Sequence, residues 1–134
     1  EEVLVENDKK DEFIVFGRNN NGFFAINKNK EIWLIPFYIS DIKEPIFINS
    51  SLHQFRCCYC LLLSILFFFL GKNVDEKECA TIAQKFKRDI LEIDIHSINS
   101  LFYKNYIFSI RNAELPIHFT PIDYVNNGRH VISE

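Results

Sequence analysis

Residues 46–70 read IFINSSLHQFRCCYCLLLSILFFFL, and the fold turns on how this stretch is read. Ile46-Phe47-Ile48 has the character of a strand, Asn49-Ser50-Ser51 turns the chain, and from Cys57 to Leu70 only Ser64 interrupts an apolar run. Ser51 is a good helix N-cap, and Gln54 three residues later completes the pattern of a capping box, in which each residue satisfies an orphan N–H of the other. Leu52, Phe55, Tyr59, Leu62, Leu66 and Phe69 recur at spacings of three and four, which draws one core-facing stripe. Leu61, Ile65 and Phe68 are apolar on other faces, so the helix is either central to a domain or in a membrane. Spanning takes about 20 apolar residues. This run is shorter, and His53 and Arg56 lie in its first turns, which favours a central helix. Gly71 stops it, as a glycine just past a helix end does.

Upstream the chain reads as an antiparallel meander. Phe13 to Phe16 is a short β run, ended by Gly17-Arg18-Asn19-Asn20-Asn21-Gly22, whose Asn and Gly residues accept positive φ. Phe23 to Ile26 forms the return strand, Asn27-Lys28-Asn29-Lys30 the next turn, and Glu31 to Tyr38 the third strand. Pro36 has no N–H for a ladder and marks an edge, a bulge or the strand's end. Ile46 to Ile48 is the fourth strand, and Val3-Leu4-Val5 offers a fifth. Downstream, Asp75 with Glu78 repeats the capping box, and Cys79, Ile82, Ala83, Phe86 and Ile90 form the buried stripe of a second helix ending near Ile93-Asp94. Ser97 is positioned to cap a third helical stretch whose apolar positions are Ile98, Leu101, Phe102, Tyr106 and Ile110. Pro116 and Pro121 rule out a continuing helix beyond it, and residues 117–134 form a tail. The expected architecture is α+β. Four to five meander strands pack on a long central apolar helix and further C-terminal helices, in a single domain over residues 1–134.

The composition suits that size. The chain has 134 residues, 48% of them hydrophobic, with 14 Phe, so it has ample material for one core. A net charge of -3 argues against nucleic-acid binding, which calls for a basic face. Residues 1–12 concentrate six acids, Glu1, Glu2, Glu6, Asp8, Asp11 and Glu12, which form either a solvated segment or a patch that meets a basic partner. There is no Met, initiator included, which implies that the authentic N-terminus has been trimmed. Cys57, Cys58, Cys60 and Cys79 do not make a disulfide framework, because neighbouring helical positions point to different faces. Small thiols in a reducing cytoplasm is the better reading.

Catalytic signatures are missing from the sequence. His53, His96, His118 and His130 show no spacing that places two ligands on one helix face. Cys57 and Cys60 share a face, yet a CCxC in a Leu/Phe run lacks the turn that presents thiolates to a metal, and apolar surroundings raise a thiol's pKa. GRNNNG joins two strands and is followed by no Lys-Ser/Thr, so it is not a phosphate loop. The chain reads as a domain that binds rather than reacts, with no enzyme activity and no cofactor.

The order of features resembles the SUKH superfamily, and most closely its fourth subfamily. Members carry a strand reading apolar-Val/Ile-Asn-Ser-Ser-apolar-x-x-Phe, and Ile48, Asn49, Ser50, Ser51, Leu52 and Phe55 occupy those positions. Ile93-Asp94-Ile95 matches the family's Ile-Asp-Pro-like step with the proline missing, and the glycine-rich turn is matched loosely by Gly17, Asn20, Asn21 and Gly22. The resemblance covers roughly residues 13–112. It implies an α+β bacterial immunity protein, cytoplasmic, that binds and neutralises a cognate secreted toxin of nuclease or deaminase type. It implies no cofactor, no nucleic acid and no membrane. An acidic surface would suit the basic cleft of a nuclease, which points to Glu6, Asp8, Asp11, Asn19, Asn20, Asn21, Asp41 and Glu44 as contacts; their plain alternative is solvated surface. Other readings are a scaffold or regulatory interaction domain of the same fold, a small-ligand binder using a pocket near Trp33, Tyr38 and His53, and membrane association through residues 57–70.

Overall fold

The computed structural model describes residues 3–6, 12–37 and 44–114. Five strands, β1 (Val3–Glu6), β2 (Glu12–Arg18), β3 (Gly22–Ile26), β4 (Ile32–Pro36) and β5 (Ile46–Asn49), pair in sequence order as an antiparallel meander. Three helices come after them, α1 (Leu52–Phe69), α2 (Glu76–Ile93) and α3 (Leu101–Arg111), with a short 3₁₀ helix (Ile95–Asn99) between the last two. The fold is α+β. The early strand expected over Val3–Val5 is present as β1, and Pro36 is the last residue of β4, opposite Gly22.

Alternation along the strands separates two faces. Phe24, Ile32, Leu34 and Ile48 point to the helices and meet Phe55, Tyr59, Leu62, Leu66, Ala83, Phe86, Ile90, Phe102 and Ile110 in the main core. Phe24 sits at its centre, fully buried, with ring centroids 5.2 to 6.0 Å from Phe55, Tyr59 and Phe102. On the opposite face Phe13, Val15 and Ala25 form a second buried cluster flanked by Phe23, Trp33 and Ile35.

Two register shifts break the alternation. Ile32 pairs with Asn49 while Trp33 pairs with Phe47, so Ile48 is an extra residue in β5. A bulge re-aims the next side chain. Here it leaves Ile48 and Asn49 both on the helix face, and Asn49 enters the core at 0% exposure. The second shift lies between Val15 and Gly17 and makes Phe16 the extra residue, stacked near Phe24 and edge-on to Phe55.

The helices begin at the expected caps, with differences in detail. Ser51 Oγ accepts from Gln54 N at 3.2 Å, but Gln54 does not close a capping box on Ser51 N–H. Its Oε1 accepts from Ser51 Oγ at 2.9 Å and its Nε2 donates to Ile93 O at 3.0 Å, tying α1 to the end of α2. Asp75 caps α2 through Glu78 N at 2.7 Å. Gly71 takes φ +70 just beyond α1. The cap of α3 is Ser100 rather than Ser97, which is buried in the 3₁₀ helix and bonds back to Ile90 O at 3.4 Å. The buried positions of α3 are Phe102, Tyr103, Ile107 and Ile110, while Ile98 and Leu101 face outward. The expected stripe was therefore correct at Phe102 and Ile110, and at Tyr106, which is half-buried against the core 5.2 Å from the Phe102 ring, and displaced at Ile98 and Leu101.

Helix α1 also differs from a helix buried on every side. Its buried residues are Phe55, Cys58, Tyr59, Leu62 and Leu66, and Leu52, Phe67, Phe68 and Leu70 are exposed. Among the described residues α1 is the one helix long and apolar enough to cross a membrane, with mean hydropathy 1.6 and 28% of it buried in this fold.

Candidate functional site

The residues that carry the sequence motif meet in one buried polar knot. α2 ends at Ile93, and Asp94 comes next in extended conformation (φ −148) with its N–H still bonded to Ile90 O at 2.8 Å. That turn-out aims its carboxylate at the end of β5. Oδ2 accepts from Ser50 N at 2.8 Å and Asn49 Nδ2 at 3.0 Å, while Oδ1 accepts from Ser50 Oγ at 2.8 Å and His96 N at 3.1 Å. The last of these caps the 3₁₀ helix. Asn49 in turn accepts the Tyr103 hydroxyl at 2.6 Å on Oδ1, and its Nδ2 lies 3.6 Å from Cys58 Sγ. Ser100 joins from the side, donating its hydroxyl to Phe47 O at 2.9 Å while accepting from Tyr103 N at 3.4 Å. One cluster thus links β5, α1, α2, the 3₁₀ helix and α3.

Its electrostatics describe a clamp rather than a reactive centre. Burial by itself would raise the Asp94 pKa, but the bonds from Ser50 N–H, Asn49, Ser50 Oγ and His96 N–H outweigh it and hold the carboxyl below its usual value. The named hydrogen-bond partners of that carboxylate are all uncharged. Burial pushes the Cys58 thiol up to about 11, only partly opposed by Asn49, so it is a neutral thiol at pH 7 and a poor nucleophile. Burial also pushes the Tyr103 phenol well above its ordinary range. Asn49, Tyr103 and Cys58 are 0% exposed. On the outside of α1, Cys57 Sγ lies 3.8 Å from His53 Nε2, one turn apart on an exposed face. No third group orients that histidine among the described residues. No three His, Cys, Asp or Glu side chains converge on a metal-sized site among the described residues.

The contact residues expected from the sequence divide. Asn20 and Asn21 are exposed at the β2–β3 turn, and Glu44 is exposed before β5. Because Gly22 pairs with Pro36 and Leu34 with Ile46, these three lie at the same end of the sheet. Glu6 ends β1 opposite Glu12, at the other end. Asn19 is a correction. It is 8% exposed, and its Oδ1 accepts from Asn21 N at 2.8 Å and Gly22 N at 3.2 Å, so it builds the turn instead of facing a partner. Asp8, Asp11 and Asp41 lie outside the described residues.

The imagined pocket near Trp33, Tyr38 and His53 is corrected too. Trp33 belongs to the cluster on the outer sheet face, edge-on to Phe13 and Phe47, whereas His53 rides on α1 across the sheet. Tyr38 lies outside the described residues. In the motif itself Phe55 is core and Ser51 is the cap, while Leu52 is 41% exposed.

Sequence reasoning singled out Asn49, Ser50 and Asp94 as motif residues without seeing their bonds, and it missed Tyr103 and Cys58. A signal was present: an acid between two isoleucines at a helix end is too apolar a setting for a solvated carboxylate. No protein-family model matches the chain, and no curated protein or solved structure matches it.

Proposed function

We propose that the chain is an immunity protein of the SUKH type, closest to the fourth subfamily, that binds and neutralises a cognate toxin by direct association in the cytoplasm. The observation that carries this reading is the bonding between the two segments on which the resemblance rests. Asn49 and Ser50 hold Asp94, 45 and 44 residues away, through three hydrogen bonds. A motif of that kind supports the scaffold and leaves recognition to the surface. The missing proline fits as well, because Ile95 is the first residue of the 3₁₀ helix behind the Asp94 cap, a position where proline's fixed φ and absent N–H are tolerated.

The toxin would be of nuclease or deaminase type, with its basic cleft facing the sheet end formed by Asn20, Asn21 and Glu44. Four free cysteines are compatible with a reducing compartment. Co-expression with the toxin encoded next to this chain is the direct test. Survival that depends on this chain, and that weakens on Glu44→Arg with Asn20→Arg, is the expected result. Equal killing with and without it overturns the proposal.

A further inference from the structure

A cleft of about 270 Å³ lies between α2 and α3, open to solvent. Its apolar walls come from Leu91, Ile98 and Phe108, and its rim carries Lys87, Lys104 and Arg111. No acid lines it, and none of the three cations has an ion pair among the described residues. That concentration stands out in a chain of net charge -3. Arg111 has a local role near the C-terminus of α3, where a cation complements the helix dipole; Lys87 and Lys104 have no such role.

The exposed face of α3 has an equally unusual composition. Leu101, Lys104, Phe108 and Arg111 succeed one another at spacings of three, four and three, so they share one side of the helix, and all four are exposed. A merely solvated helix face would be polar throughout. Here Phe108 is 60% exposed and Leu101 48%, beside Ile98 at 49%.

We propose that this cleft is a docking groove for a partner protein segment that combines acidic residues with apolar anchors. The apolar walls would take the anchors, and carboxylates beside them would meet Lys87, Lys104 and Arg111, as when an amphipathic segment lies in a groove. The volume falls just below the range of about 300–1,000 Å³ typical of small-molecule sites, which suits a few side chains better than a cofactor. Aliphatic walls and three cations also fit a peptide better than a nucleic acid, which would need a broad basic face and stacking surfaces. The inference goes beyond the toxin reading, because this surface has the opposite charge from the one expected to meet a nuclease, and it stands whichever partner the other surface takes.

A phage-displayed random peptide library selected on the intact chain tests it. Enriched sequences should combine two or more Asp or Glu residues with Leu, Ile or Phe. A synthetic copy of an enriched peptide should lose about tenfold or more in affinity on Lys104→Glu with Arg111→Glu, since each exposed pair is both removed and reversed. Phe108→Ser should weaken it as well, raising salt from about 50 to about 500 mM should do the same, and Asn20→Arg with Glu44→Arg should leave it unchanged. The substituted positions are exposed, so melting temperatures of the variants should match the parent. The proposal is overturned by no enrichment, by enriched peptides that lack this composition, or by peptides that bind the variants as tightly as the parent. It is equally overturned if the Lys104/Arg111 variant instead abolishes self-association, binding of a single-stranded RNA oligonucleotide, or binding to phosphatidylserine vesicles.

Discussion

Replacing Asp94 by Asn keeps the side chain's size and removes its charge and one acceptor. Four donors now converge on that carboxylate, at 2.8, 2.8, 3.0 and 3.1 Å. In the best orientation the new carbonyl takes the place of Oδ2 and keeps Ser50 N–H and Asn49 Nδ2, and the new amide donates to Ser50 Oγ, whose hydroxyl can rotate. His96 N–H then faces a donor and is left unmet. One unmet N–H and the loss of charge assistance cost about 2 kcal/mol, reduced because a charge no longer has to be buried. Asp94→Ala strips all four donors of their partner, Asn49 among them at 0% exposure, and the cost rises to about 4 kcal/mol. For a chain of this size those figures lower Tm by roughly 6–10 °C and 12–20 °C. Urea titrations at pH 7 should show the midpoint falling in that order with an unchanged slope. The pH dependence adds a sign. The folded carboxyl titrates below its ordinary 3.8, so its contribution is present above that pH and lost as pH falls through the folded value. The gap between parent and Asp94→Asn should therefore narrow below about pH 4. An Asp94→Ala variant within about 1 kcal/mol of the parent, or a gap that does not narrow in acid, refutes the role assigned to this carboxylate.

Three further outcomes test other parts of the fold. Leu62 and Leu66 are 0% and 3% exposed on the α1 stripe, so Leu62→Asp or Leu66→Asp should abolish soluble folding, and a soluble variant with the parent's Tm would disprove the placement of α1. A Cβ at Gly22 would lie 2.3 Å from Ile35 O and 2.8 Å from Pro36 Cα, so Gly22→Ala must push β4 away, at about 2–3 kcal/mol or more. Gly71→Ala meets only open space at φ +70 and should cost about 1 kcal/mol, so urea midpoints ranking the two the other way would contradict the β3–β4 register. In alkali, the Cys58 thiol is raised from 9.0 to about 11, so its contribution is complete below pH 9 and lost as pH climbs toward 11. The parent should accordingly lose more stability than Cys58→Ala between about pH 8 and about pH 10.5, and parallel losses would show that this thiol is not buried.

Features that depend on near neighbours along the chain were legible in the sequence. The turn at Asn27–Lys30, the stop at Pro36, the caps at Ser51 and Asp75 and the glycine end of α1 all lie where the residue chemistry puts them, whereas the turn expected over Gly17–Gly22 is shorter, with Gly17 and Arg18 in β2, Gly22 in β3 and no positive φ within it. Each rests on a side chain or a backbone preference acting within three or four positions, and the meander with its trailing helices comes out of that reading. The register of α3 escaped it. Both Ser97 and Ser100 can cap a helix, and the choice depends on Ser100 reaching Phe47 O across 53 residues and on Tyr103 finding Asn49. Burying Tyr103 requires a partner for its hydroxyl, so the partner selects the face.

The opening stretch, residues 46–70, shows the same division. Its composition determined a strand, a capped turn and an apolar helix. That a bulge at Ile48 would swing Asn49 into the core, that an aspartate 45 residues on would meet it, and that α1 would leave Phe67, Phe68 and Leu70 exposed, only the tertiary structure decided. The physical reason is range. Caps and periodicity act along one segment, whereas the worth of a buried polar group or an exposed ring depends on which distant segment comes to lie beside it.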